Sequence, residues 1–182
     1  MRTGLSWREE IPPPDGRRDD SWIGVLLALV LLFASGAAMA EVRPFVRGSW
    51  QELVNAHAGR PLVVHFWSLT CAPCIAEMPQ WKALRKAHPG MALVMVSTDP
   101  PDQAKRQEAL LARSGLAGVE QWTFADSFAE RLRFEVDRRW RGELPMTRLV
   151  GTDGKVEAIT GTVTPAALDG WLARQGGDHV QR

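Results

Sequence analysis

The amino-acid sequence predicts an α/β fold, and three features of the chain support that prediction. The apolar, β-branched run Pro61–Trp67 has the pattern of a buried strand and leads directly into a helical repeat of apolar residues. A second apolar run, Met91–Ser97, completes a βαβ unit, whose right-handed crossover makes the two strands parallel. Later, an apolar strand beginning at Pro145 turns at Thr152–Lys155 into Val156–Ile159, which predicts a β-hairpin with an Asp-Gly turn.

The N-terminal part of the chain differs in composition from all that follows. Residues 1–21 are polar, with consecutive prolines and mixed charges, which is typical of a disordered region. Residues 22–40 are almost wholly apolar and indicate a signal-peptide core or a membrane anchor. The A-x-A pattern ending at Ala40 favours cleavage, whereas the length of the apolar segment also fits an anchor retained in the inner membrane. Both alternatives place residues 41–182 in the periplasm or another extracytoplasmic compartment.

Residues 41–182 have the length of one domain with one core, and their charge restricts the classes of partner. The whole chain has a formal net charge of +1 at pH 7, so it lacks the basic surface typical of nucleic-acid-binding proteins. We therefore expect no nucleic-acid partner. Membrane contact is expected only through residues 22–40, if they are not removed.

The remaining elements are predicted in chain order from caps and apolar spacing. The capping-box pattern Ser49–Glu52 begins a short helix before the first strand. Gln103–Ser114 is typical of a charged helix that faces solvent, and Gly118–Phe124 of a short strand or extended link. Thr164–Pro165 begins the last helix.

Residues 128–140 are predicted to form one further helix, capped by Asp126 or Ser127. Its apolar stripe, which we interpret as core packing, consists of Phe128, Leu132, Val136 and Trp140. Arginines surround this stripe, and we interpret them as a solvated helix face, with a partner-facing surface as the alternative.

The two cysteines, Cys71 and Cys74, are spaced C-x-x-C where the first helix of the βαβ unit begins. Unpaired N–H groups and the helix dipole favour a thiolate at that position, which makes Cys71 a candidate nucleophile. Cys74 is near enough to close a disulfide with Cys71 or to attack a mixed disulfide that Cys71 has formed. A stapling disulfide normally closes a longer loop, and a zinc site needs four ligands. The pattern therefore favours redox chemistry over either of these structural roles.

The segment Val64–Pro79 resembles the active-site segment of the thioredoxin superfamily. Its continuation after Cys74, with Glu77, Met78 and Pro79, is similar to the TlpA/ResA/CcmG branch of extracytoplasmic thiol–disulfide oxidoreductases. The resemblance implies a thioredoxin-like fold, with a central mixed β-sheet flanked by helices. Thr70 departs from the family pattern, which usually has Trp before the first cysteine, and this bears on substrate preference and redox potential.

The same resemblance implies a substrate-binding segment later in the chain. Pro145 resembles the cis-proline that thioredoxin-like folds place opposite the C-x-x-C motif, where the neighbouring backbone pairs with a substrate peptide. An ordinary trans proline at the start of a strand is the alternative. We expect Trp67, Leu144 and Pro145 to contribute to substrate binding, with Trp67 packed beneath the active site.

Two further residues are candidates for proton transfer. His65 lies where cytoplasmic thioredoxins have a buried acid, and a histidine can serve as a base there; a hydrogen-bonded core histidine is the alternative. Glu77 matches a family acid that assists deprotonation of a cysteine. Its alternative is an acid in the first helical turn that interacts with the helix dipole.

The function implied is reduction of disulfides in extracytoplasmic proteins, for example in cytochrome c maturation or metal-centre assembly. In this scheme Cys71 attacks the partner disulfide, Cys74 resolves the mixed disulfide, and a membrane-bound electron donor re-reduces the pair. We expect no cofactor and no metal. The alternative is a copper-binding protein, because a C-x-x-C pair and the sulfurs of Met78, Met91 and Met95 suit Cu(I).

Overall fold

The computed structural model describes residues 41–177, so the predictions for residues 1–40 lie outside its range. No helix among the residues it describes has both the length and the apolar character needed to cross a bilayer. The strands in chain order are β1 (Val42–Phe45), β2 (Leu62–Trp67), β3 (Ala92–Ser97), β4 (Glu120–Phe124), β5 (Met146–Val150) and β6 (Val156–Thr160). The helices are α1 (Ser49–Ala56), α2 (Ala72–Ala87), α3 (Ala104–Arg113), α4 (Ala129–Val136) and α5 (Pro165–Gly177), with a 3₁₀ turn at Pro101–Gln103.

The strands form one mixed sheet in the order β1-β4-β3-β2-β5-β6. Neighbours among β1, β4, β3 and β2 pair in parallel, whereas β5 is antiparallel to both β2 and β6. The central strands β2 and β3 are buried along their whole length, as expected for parallel strands covered by helices on both faces. The predicted α/β fold with a mixed sheet is confirmed.

Side-chain alternation along β2 directs its residues into two cores. Val63 and Trp67 enter a cluster that includes Cys74. Val64 and Phe66 enter the other, which is rich in aromatic residues. The helices α2, α3 and α5 cover the first cluster through Met78, Trp81, Leu110, Leu111, Leu168 and Trp171, whereas α1 and α4 cover the second through Leu53, Leu132 and Val136.

The edge strand β1 was not predicted from the sequence. It is only four residues long and includes Pro44. A proline has no N–H for a sheet ladder, which makes such a segment a poor strand candidate in isolation, but an edge position tolerates it. The pairing of β1 with β4 therefore decides its conformation.

The predicted capping box of α1 is wrong. Gly48, with a left-handed φ of 86°, is the residue before the helix, and no side chain caps it. The Ser49 hydroxyl oxygen instead accepts a hydrogen bond from the Val46 N–H, at 3.0 Å. The helix begins at Ser49 because the chain turns at a glycine, which adopts this backbone conformation without a steric cost.

The predicted helix over residues 128–140 is shorter in the structure and ends at Val136. Phe128 is 52% exposed, so its assignment to the core is wrong, whereas Leu132, Val136 and Trp140 are buried as predicted. The Asp126 carboxylate accepts a hydrogen bond from the Phe128 N–H, at 2.9 Å, and so forms a turn before the helix rather than a helix cap.

Two predicted elements near the C-terminal end of the domain are confirmed. The strands β5 and β6 form an antiparallel hairpin, and Gly154 in the connecting turn has a positive φ of 79°. The helix α5 begins at Pro165, and its residues Leu168 and Trp171 are buried in the cluster that contains Cys74.

Candidate functional site

The site forms where β2 ends and α2 begins, at the carboxyl edge of the parallel strands. Cys71 is the residue before the helix, and its Sγ is bonded to the Sγ of Cys74, with the two Cα atoms 5.2 Å apart. The Cys74 N–H donates to Cys71 Sγ at 3.3 Å. No acidic residue lies in the first helical turn, so the N–H groups at this helix end are not opposed by a carboxylate from the same turn.

The two sulfurs differ in accessibility. Cys74 is 0% exposed and belongs to the apolar core, whereas Cys71 is only partly buried and packs at the edge of that core. A partner protein can therefore reach Cys71 first. This asymmetry matches the predicted order, in which Cys71 attacks and Cys74 resolves.

The segment before β5 lies beside this site. The Leu144–Pro145 peptide bond is cis, which is the geometry expected for Pro145. Because Phe66 pairs with Met146 in the antiparallel register of β2 and β5, continuing that register sets Leu144 opposite the loop that leads to Cys71. The Pro145 C=O accepts a hydrogen bond from the Gly161 N–H, at 2.8 Å.

The backbone of Leu144 is available for pairing. Neither its N–H nor its C=O makes a hydrogen bond to any residue in the range 41–177. Its side chain is partly buried and packs against both core clusters. An extended peptide beside Cys71 would therefore find a free donor and a free acceptor at this residue.

His65 lies in the interior between β5 and α2. Its Nδ1 is 3.0 Å from the hydroxyl oxygen of Thr147, the residue opposite it on β5, and its ring tilts against that of Trp81 with the centroids 4.8 Å apart. Its Nε2 lies 3.8 Å from Glu77 Oε2. Within the described part of the chain, neither Nε2 nor Oε2 has a hydrogen-bond partner.

Glu77 is buried in the second turn of α2, so the alternative of an acid in the first turn is wrong. Its Oε1 accepts a hydrogen bond of 2.6 Å from the Val163 N–H, which ties α2 to the segment before α5. Burial raises the pKa of the Glu77 carboxyl above its ordinary value, and the hydrogen bond from Val163 opposes this effect.

The two candidates for proton transfer therefore differ in suitability. Burial lowers the pKa of His65 to about 3, so this imidazole is neutral at pH 7 and accepts a proton poorly. The raised pKa of Glu77 makes its carboxylate the better acceptor near neutral pH. The directions of these two pKa shifts, with the hydrogen bond between His65 and Thr147, favour a core role for His65 and leave Glu77 as the candidate for proton transfer.

Known proteins that resemble this chain include a thiol–disulfide oxidoreductase. The chain is 24% identical to sporulation thiol-disulfide oxidoreductase A of Bacillus subtilis, over 81% of this chain and 92% of the relative. The fold is thioredoxin-like.

Solved structures agree on this thioredoxin-like fold. A secreted Mycobacterium tuberculosis disulfide oxidoreductase homologous to Escherichia coli DsbE shares 20% identity, with a TM-score of 0.52, over 66% of this chain and 85% of that one. A DsbF homologue from Corynebacterium diphtheriae shares 15% identity, with a TM-score of 0.53, over 66% of this chain and 75% of that one. No family model matches the chain. With its Cys71–Cys74 disulfide and its similarity to a curated oxidoreductase, the protein is a thiol–disulfide oxidoreductase.

The structure revises the prediction that Trp67 takes part in substrate binding. The Trp67 side chain is 1% exposed and packs in the same core cluster as Cys74. It therefore lies beneath the disulfide, where a partner cannot touch it. Thr70, in contrast, is exposed directly before Cys71, where the family usually has Trp.

Sequence reasoning missed a polar cluster at the ends of β2 and β3. Asp99 accepts hydrogen bonds from the Ser68 hydroxyl at 2.9 Å, the Leu69 N–H at 2.8 Å and the Ser97 hydroxyl at 2.7 Å. The signal was present, since Ser68 and Asp99 follow the two buried strands, and the carboxyl ends of neighbouring parallel strands lie together.

The structure offers no support for the copper alternative. Met78, Met91 and Met95 are buried in the core cluster, so their sulfurs are not available at the surface beside Cys71. Over residues 41–177, no group of three or more His, Cys, Asp or Glu side chains is arranged to hold a metal ion.

Proposed function

We propose that this thiol–disulfide oxidoreductase acts outside the cytoplasm and reduces disulfide bonds in partner proteins. The observation that most directly supports the proposal is the difference between the two sulfurs, with Cys71 accessible and Cys74 buried behind it. An accessible nucleophile with a shielded resolving thiol suits attack on a protein disulfide, because the resolving thiol then meets mainly its own partner sulfur.

The proposed reaction transfers two electrons from the dithiol to the partner. The Cys71 thiolate attacks one sulfur of the partner disulfide, and the other partner sulfur leaves as a thiolate that takes a proton from water. Cys74 then loses its proton, attacks Cys71 Sγ and expels the second partner sulfur as a thiolate. The pair ends as the Cys71–Cys74 disulfide, and a membrane-bound electron donor reduces it again by the reverse exchange.

The proposed role of Glu77 is to accept the proton of Cys74. Glu77 follows Cys74 by three residues on the same helix, so the two side chains lie on one helical face. Its buried carboxylate has a raised pKa, which suits a group that takes up a proton near neutral pH. His65 is proposed to contribute only as a neutral neighbour that packs beside the Glu77 carboxylate, and not as the proton acceptor.

The partner is proposed to bind as an extended segment along Leu144. The unpaired N–H and C=O of this residue would form strand-like hydrogen bonds with the partner backbone next to Cys71. The register of β5 against β2 supports this proposal, because its continuation sets Leu144 opposite the loop that leads to Cys71.

The proposed location is the periplasm or another extracytoplasmic compartment. Residues 22–40 have the composition of a signal or anchor segment, and a structural relative is a secreted oxidoreductase. Apocytochromes and proteins that acquire metal centres are candidate partners within that compartment.

The direction of the reaction is tested by equilibrating the C-x-x-C pair with glutathione buffers. We expect a pair more reducing than the glutathione couple and able to reduce insulin, with activity lost in Cys71→Ser. A Cys74→Ala variant should accumulate mixed disulfides with partners, and the double variant Cys71→Ser/Cys74→Ala should trap none. A potential well above that of glutathione, with oxidation of reduced proteins, would contradict the proposal.

A further inference from the structure

The carboxylate of Asp99 is an anion bound only by neutral groups. Its three donors are the hydroxyls of Ser68 and Ser97 and the backbone N–H of Leu69. Among residues 41–177, no lysine, arginine or histidine forms an ion pair with it. The charge is therefore stabilised by hydrogen bonds but is not neutralised by an adjacent cation.

The backbone of Asp99 is fixed as firmly as its side chain. Its C=O accepts a hydrogen bond from the Thr123 hydroxyl on β4, at 2.8 Å, and its N–H donates to the Ser97 hydroxyl oxygen, at 3.1 Å. The Gln107 amide on α3 in turn donates to Thr123, at 3.2 Å. The groups that face Asp99 from β3, β4 and α3 within hydrogen-bond reach are thus uncharged.

The three residues before the nucleophile are organised around this carboxylate. Ser68 and Leu69 donate to it directly, and the Thr70 N–H donates to the Ser68 hydroxyl oxygen, at 3.1 Å. The Cys71 N–H then donates to the Ser68 C=O, at 3.2 Å. A short chain of hydrogen bonds therefore joins Asp99 to the backbone of Cys71.

This arrangement affects the Cys71 thiolate in two ways. The Leu69 N–H is committed to Asp99 and is not free to solvate a thiolate. A negative charge at Asp99, which is hydrogen-bonded to this loop, also repels a negative charge at Cys71, in opposition to the positive end of α2. A thiolate that is less stable makes the reduced pair less stable, so the pair gives up its electrons more readily.

We propose that Asp99 is a positioning residue that holds the Ser68–Thr70 loop and whose charge disfavours the Cys71 thiolate, which makes the C-x-x-C pair more reducing. The inference deepens the proposed function and rests on it for its biological direction. The electrostatic coupling itself can be measured whether or not the protein acts as a reductase.

The test compares Asp99→Asn with Asp102→Asn, a matched change at an exposed carboxylate on the neighbouring 3₁₀ turn. In Asp99→Asn, Cys71 should be alkylated at lower pH than in the unchanged protein. At pH 8.5 the equilibrium with glutathione should shift toward the reduced pair by about threefold or more. Asp102→Asn should match the unchanged protein in both measurements. Equal behaviour of the two variants would overturn the proposal.

The positioning part has a separate readout. Asp99→Ala removes the acceptor as well as the charge, so amide hydrogen exchange at Leu69 and Thr70 should be faster in this variant than in Asp99→Asn. Unchanged exchange in Asp99→Ala would show that the loop does not depend on Asp99.

A measurement on the unchanged protein covers the case in which these variants fail to fold. In the reduced protein, the ¹³C carboxyl resonance of Asp99 should shift as Cys71 ionises, because coupling between two charges is reciprocal. If the chemical shift of Asp99 does not change while Cys71 ionises, the proposal is also overturned. If the coupling is found but the protein oxidises its partners, the proposed direction fails and the role of Asp99 stands.

Discussion

Two polar clusters flank β2, and each contains an acid. The two acids differ in their burial and in their hydrogen bonds. At the end of the strand, Asp99 is partly exposed, and both of its carboxylate oxygens accept hydrogen bonds. In the middle of the strand, His65 and Glu77 are buried, and Nε2 of one and Oε2 of the other have no partner within residues 41–177. The carboxylate of the first cluster is hydrogen-bonded on both oxygens, whereas the second cluster contains buried polar atoms without partners.

The difference shows that burial and hydrogen bonding have different effects on the two acids. The Asp99 carboxylate accepts hydrogen bonds on both oxygens, so its position beside the loop before Cys71 is fixed. A carboxylate buried beside a neutral imidazole is costly when ionised, so it exchanges a proton more readily at neutral pH. Variants of each cluster should therefore respond differently to pH.

The largest expected effect is the acid sensitivity due to His65. The unfolded chain binds a proton at this histidine near its ordinary pKa of 6.5, whereas the native state binds it only near pH 3. Stability is therefore lost as the pH falls from 6.5 toward 3, by up to about 5 kcal/mol. The variant His65→Asn cannot take up that proton. Its free energy of unfolding, measured with urea across this pH range, should therefore fall less than that of the unchanged protein.

The control for His65 is His88→Asn, at a partly exposed histidine that pairs with Asp169. We expect this variant to follow the pH dependence of the unchanged protein. The comparison of the two clusters would fail if His65→Asn were as sensitive to acid as the unchanged protein.

The next effect concerns the rate of the resolving step. Glu77→Gln retains an oxygen that can accept the Val163 hydrogen bond but removes the group that takes up a proton. We expect release of a partner from its mixed disulfide with Cys71 to slow by about a hundredfold at pH 7 in single-turnover experiments. Glu130→Gln, at an exposed position on α4, should leave that rate unchanged.

The stability of Glu77→Gln should change with pH in the opposite sense to that of the His65 variant. Because burial raises the native pKa of Glu77, the cost of ionising it is absent below its ordinary value and fully present above the raised pKa. The stability of Glu77→Gln relative to the unchanged protein should therefore increase as the pH rises. A relative stability that is constant from pH 4 to pH 8 would contradict the raised pKa.

The smallest effects come from removing one hydroxyl from each cluster. Ser97→Ala removes one donor to the Asp99 carboxylate, which retains Ser68 and Leu69, together with the acceptor of the Asp99 N–H, so the free energy of unfolding should fall by about 1 kcal/mol. Thr147→Val leaves both ring nitrogens of His65 without a partner and should cost more, about 1–3 kcal/mol. Equal losses in urea unfolding would remove the distinction between a satisfied cluster and an unsatisfied one.

The sequence predicts the buried strands better than it predicts the residues of the site. The buried strands β2 and β3 were predictable because a continuous apolar run is a local property of the sequence. The exposed position of Phe128 was not, because its spacing from Leu132 fits a helical stripe and only the turn at Asp126 excludes it from the helix. Within the site, Cys71 and Cys74 were evident from their spacing, whereas the role of Asp99 was not.

The sequence by itself determined the redox pair, the helix end beneath it and the succession of strands, because each depends on residues close together in the chain. Only the tertiary structure decided the proton and charge environment of that pair. Thr147 meets His65 across 82 residues, and Val163 meets Glu77 across 86. Such contacts are fixed by sheet register and helix packing, and these interactions leave no periodic pattern in the sequence.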